Sequence, residues 1–160
     1  SAGTIYNYYE SKADLLSDTI ESIWHEIFFH PEDEQVFHDV ESCISWIYER
    51  LEYGNRQFPG FFSLHSFGFM RDEKTSGKKR MMKTWGHILN GLCEVLGNDP
   101  KVRADVFDQE FTEKKFADIL FSLILVSMIR QDYDPSSVLM LVKKTLYVTV
   151  QSQAKFQKQV

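Results

Sequence analysis

The chain has 160 residues, 43% of them hydrophobic, 26% charged and 14% aromatic, so one packed domain is expected and intrinsic disorder is excluded. Eighteen basic against 23 acidic residues leave a net charge of −5, the wrong sign for a domain that relies on phosphate neutralisation alone. Cys43 and Cys93 stand singly and far apart, which excludes a disulfide framework and a CxxC redox or zinc unit.

Helical periodicity runs from end to end. Ser11 and Asp14 have capping-box spacing, and Leu15, Leu16, Ile20, Ile23, Trp24, Ile27 and Phe28 form one stripe on a helix of about 11–29. Pro31 and Glu32-Asp33-Glu34 interrupt it. A second helix is expected from about Asp39 to Arg56, with Val40, Ile44, Ile47, Tyr48 and Leu51 inside. Pro59 is placed to open a short helix holding Phe61, Phe62, Leu64, His65, Phe67 and Phe69. The basic run Lys74, Lys78, Lys79, Arg80 and Lys83 reads as the solvated start of a long helix, which Gly97-Asn98-Asp99-Pro100 stops. A helix of about 110–131 is apolar nearly all round between Ile119 and Ile129, too short to span a membrane but in need of more than one packing partner. Asp134 and Pro135 read as the N-cap and first residue of a last helix reaching about 155, with Val138, Leu139, Leu141, Val142, Leu146 and Val150 on its inner face. The expected fold is all-α, dimerising through these last two helices.

No enzymatic constellation stands out. His25 and His30 echo HExxH, but at a spacing of five they point to different faces of a helix and cannot share one zinc ion. Ser76-Gly77-Lys78 lacks the rest of a phosphate-binding loop. Nothing calls for a metal or a cofactor, and the chain is read as a non-enzyme. The start of the sequence has neither the basic flank nor the apolar run of a signal peptide, so a cytoplasmic protein without a membrane partner is expected.

The aromatic residues exceed what a small helical core usually holds. Trp46, Tyr53, Phe61, Phe62, His65, Phe69, Met82, Trp85 and Leu89 are therefore the candidate walls of a cavity for a small apolar or aromatic ligand. His65 and Asn90 are placed to orient a polar end. Two other classes fit the same composition: a helical dimeric interaction module whose aromatics are all core, and an all-α enzyme acting on an apolar substrate.

The first sixteen residues carry the sharpest signal. Gly3, Thr4, Ile5, Tyr6, Tyr8, Tyr9, Ser11, Lys12, Leu15 and Leu16 stand, in order and at fixed spacing, where tetracycline-repressor (TetR) type regulators have the end of their helix-turn-helix domain. The segment resembles the recognition helix of that family followed by the opening of its long fourth helix, with Tyr9 where phenylalanine is commoner. The resemblance implies that residues 1–10 are the end of a DNA-binding domain and 11–160 a ligand-binding and dimerisation domain. It further implies that Ala2, Gly3 and Tyr6 approach base edges, and that Thr4, Asn7, Tyr8 and Lys12 hold phosphates. It also implies two more helices, with most of the basic charge, ahead of Ser1. That would reconcile DNA binding with an acidic chain whose residues 1–30 carry one lysine, Lys12, against five acidic residues. The function implied is a homodimeric regulator, a repressor in most of the family, bound to palindromic operator DNA and released by a small-molecule effector.

Overall fold

The apolar stripes read along the sequence become five helices in a computed structural model, which describes residues 12–29, 37–62 and 76–148. These are α1 (Lys12–Phe28), α2 (Val40–Gln57), α3 (Ser76–Asn98), α4 (Glu113–Arg130) and α5 (Ser136–Val142), the last continued by a π-helical turn, Lys143–Tyr147. The described residues contain no strand.

α1 lies along α3, and α3 packs in turn on α4. α2 touches α1, α3 and α5, and its Tyr48 hydroxyl shares a 2.8 Å hydrogen bond with the Ser127 hydroxyl of α4. The core runs through all five helices, from Trp24 and Ile27 through Ile44, Tyr48 and Leu51 to Leu120, Ile124, Val142 and Leu146. α1 and α2 come together at Gly54, where a Cβ would stand 2.7 Å from Ile27 Cδ1 and would displace that side chain.

Local chemistry sets the helix ends. Asp39 caps α2, its carboxylate accepting from Ser42 N at 2.8 Å. α4 starts at Glu113, later than the expected 110, because Asp108 Oδ1 takes the backbone N–H groups of Glu110 and Phe111 in a turn and leaves Thr112 as N-cap. Gln131, in the left-handed region at φ 52°, ends it. α5 starts one residue later than expected: Pro135, not Asp134, is its N-cap and makes no side-chain cap bond, while Asp134 Oδ1 accepts from Ser136 N at 2.9 Å in the turn ahead of it.

The last helix corrects the sequence reading. α-helical geometry stops at Val142 and the π turn at Tyr147, with Val148 extended, rather than continuing to about 155. The physical reason is Arg103, 45 residues away from Val148. Its guanidinium donates to the carbonyls of Thr145 and Val148, and its backbone N–H donates to Leu146 O at 3.0 Å, so the terminal carbonyls are already satisfied. Residues from 149 onward, Val150 included, lie outside the described residues.

One buried carboxylate joins these parts. Asp99, 5% exposed, follows α3 and accepts from Val40 N at 3.0 Å, Lys101 N at 2.8 Å and the Tyr147 hydroxyl at 2.5 Å. The start of α2, the end of α3 and the last turn therefore meet on a single side chain. Burial, then the Asp99 carboxylate, pushes the Tyr147 hydroxyl pKa well above its usual range and keeps it a donor.

Candidate ligand cavity

A cavity of about 500 Å³ opens between α1, α2 and α3. α1 contributes Glu21, Trp24, His25 and Phe28, a set at helical spacing on one face, and Phe29 follows at its edge. α2 contributes Cys43, Trp46 and Ile47, with Phe37 just ahead of it. α3 contributes Lys83, Thr84, His87, Ile88, Gly91 and Leu92.

The apolar part is a chain of rings. Trp24 stacks on Phe28 with centroids 5.8 Å apart, Phe28 meets Trp46 at 6.0 Å, and Phe37 stands edge-on to Trp46 at 5.2 Å. His25 lies flat on Phe29 at 4.4 Å, and Phe29 is 60% exposed. Cys43 is buried, and desolvation pushes its thiol up to about 12, so it stays a neutral wall atom.

Of the nine residues the sequence placed around a cavity, Trp46 lines this one. Phe61 and Phe62 are core: they pack against Trp24 at 5.4 and 5.6 Å, backing the wall rather than facing the space. Trp85 is buried against Phe121 of α4 at 5.5 Å and does not line the cavity. Leu89 is half-buried and packs on the core, and Met82 is exposed. The Tyr53 hydroxyl reaches the Glu26 carboxylate at 3.4 Å, and its ring lies under Arg50. Asn90, expected at a polar end, is exposed. His65 and Phe69 lie outside the described residues, as do Ala2, Gly3, Thr4, Tyr6, Asn7 and Tyr8; Lys12 is the first residue of α1.

Sequence reasoning missed the polar part of the wall. Glu21, His25 and Phe28 show an i, i+4, i+7 spacing that could have grouped them, and Lys83 was read with the solvated basic run although it precedes Thr84 and His87 on the same helix. Among the described residues no group of three or more His, Cys, Asp or Glu side chains could hold a metal ion, and no helix is long and apolar enough to cross a membrane. No protein-family model matches the chain, and neither a curated protein nor a solved structure is significantly similar to it.

Proposed function

We propose that this chain is the effector-binding and dimerising part of a TetR-type transcriptional regulator, working as a repressor. The observation that carries this reading is the cavity's position. One of its walls is α1, the helix that begins where the recognition-helix-like segment 1–10 ends. A ligand in the cavity touches α1 over its second half, from Glu21 onward, and any change of tilt there would be carried toward residues 1–10. A void of about 500 Å³ lined by aromatic rings and a few polar groups is also what a small-molecule site looks like, and it favours an effector protein over a solid-core interaction module.

The dimer belongs to the same proposal. Ile119, Val126 and Ile129 recur at spacings of seven and three on one side of α4 and are 44%, 45% and 51% exposed, while Met140 and Leu141 of α5 are 56% and 38% exposed. The opposite side of α4, including Phe116, Leu120, Ile124 and Met128, is already buried in the chain's own core. A second copy laid on the exposed side would give the four-helix arrangement expected of the last two helices. The two recognition helices would then reach successive major grooves about 34–36 Å apart on a palindromic site. An effector that must swing such a dimer from 1:99 to 99:1 needs about 5.5 kcal/mol of preference for the released state.

Selection from random-sequence duplexes tests the proposal, using the intact protein with whatever precedes Ser1. Enrichment of a two-fold palindrome is the expected result. Retention of DNA without sequence enrichment, or no retention, would refute the DNA-binding role.

A further inference from the structure

The wall of the cavity changes character from one side to the other. α2 offers it only Cys43, Trp46 and Ile47. Among the described residues, the ionisable side chains of the wall besides that thiol come from α1 and α3: Glu21, His25, Lys83 and His87, with the Thr84 hydroxyl between the last two. The ionisable part of the wall thus lies on α1 and α3, while the aromatic part runs from Trp24 and Phe28 of α1 to Trp46 of α2.

The α1–α3 seam carries, among the described residues, one ammonium, Lys83, two imidazoles, His25 and His87, and one carboxylate, Glu21, a balanced charge in a chain that as a whole is −5. Among the described residues no carboxylate is ion-paired with Lys83 or His87. An ammonium on a long, rotatable stem accepts an anionic partner at many angles, and imidazole N–H groups add directed donors. On the far side, Cys43 remains a thiol and brings no negative charge to oppose an anion.

We propose that the cavity takes an amphipathic organic monoanion, an aromatic carboxylate in chemical class, with its charged end at the α1–α3 seam beside Lys83 and His87 and its ring body against Trp24, Phe28 and Trp46. A single negative charge is specified because the described wall offers one ammonium, Lys83, to meet it. A planar ring is specified because Trp24 and Phe28 stack and Phe28 meets Trp46 in a tilted pair, a surface of ring faces and edges that a further ring can join. This deepens the reading of the cavity as an effector site and rests on it.

Calorimetric titration of the 160-residue chain at pH 7 with three probes of one shape tests it: 2-naphthoic acid, 2-naphthalenemethanol and 2-naphthylmethylamine, which are anionic, neutral and cationic. The acid is expected to bind at least tenfold more tightly than the alcohol, and the amine no better than the alcohol. Lys83→Met and His87→Gln should each weaken the acid several-fold while leaving the alcohol within twofold, and that unchanged alcohol affinity also reports an intact fold. Equal binding of acid and alcohol, or tightest binding of the amine, would overturn the anion assignment while leaving the cavity as a ligand site. Failure of all three to bind would overturn both.

Discussion

Arg50 of α2 closes the end of α1: its Nε donates to the Ile27 carbonyl at 2.5 Å, and its Nη2 donates to the Glu26 carbonyl at 3.2 Å. Positive charge at a helix C-terminus complements the dipole as well as satisfying orphan carbonyls. The guanidinium also lies 4.2 Å over the Tyr53 ring, whose hydroxyl returns to the Glu26 side chain. The cavity's α1 wall is therefore clamped to α2 at one end. Arg50→Met, which keeps the stem but removes the donors, should lower stability by about 1.5 kcal/mol, a charge-assisted hydrogen bond's lower range. Urea unfolding measures it, and a change below about 0.3 kcal/mol would show that the clamp is idle.

Two tryptophans separate wall from core. Trp85, buried against Phe121, should behave as a core residue, and Trp85→Ala should cost about 3–5 kcal/mol. Trp46 is half-buried with one side on the cavity, so Trp46→Ala should cost less and should weaken binding of a naphthalene probe. Thermal unfolding with and without probe measures both. Equal destabilisation with unchanged probe binding would place Trp46 in the core as well.

The helix stripes were legible because burial imposes a period that a short window reveals. Ile20, Trp24 and Ile27 were expected inside and are; Ile44, Ile47, Tyr48 and Leu51 likewise. Spacing identifies a buried face, but it does not say whether a ring on that face meets another ring or a void. Phe61 and Phe62 illustrate this: both are buried, and both back Trp24 instead of facing the cavity. Contacts across long stretches of chain were equally out of reach. Asp99 was read as part of a stop signal, yet it holds Val40 N, 59 residues away, and Arg103 ends a helix that its own residues would have continued.

Acid should act on the start of α2. The Ser42 backbone N–H, then the Lys101 ammonium, holds the Asp39 carboxyl below its usual 3.8. A carboxyl depressed in the folded state contributes stability that is present above the unfolded pKa and is lost as pH falls through the folded one. Asp39 should therefore help fully above about pH 5, and its help should fade below about pH 4, reckoned from that usual value. Asp39→Ala should cost about 1 kcal/mol at pH 7. Its stability deficit relative to the parent should shrink in acid, as denaturant midpoints across pH would show; a deficit that grew in acid would contradict the sign.

The exposed side of α4 gives a test of assembly free of damage to the core. Leu146, on the inner face of the last helix, is fully buried within the chain, so a charge there would unfold the protein without testing the dimer. Val126→Glu and Ile129→Lys introduce charge at exposed positions instead. Light scattering of the parent chain should give about twice 18.8 kDa at micromolar concentration, and each variant should give one chain's mass with an unchanged helical spectrum. A parent at one chain's mass would remove the dimer.

Coupling between the cavity and DNA is the central claim, and fluorescence anisotropy of a labelled duplex measures it directly. The duplex is the palindrome enriched by the intact protein, and the titrant is 2-naphthoic acid. Anisotropy should fall to the free-duplex value over the concentration range in which calorimetry shows the cavity filling, and Trp46→Ala should move that fall to higher concentration. A duplex that stays bound at full anisotropy while the cavity is saturated would contradict the claim.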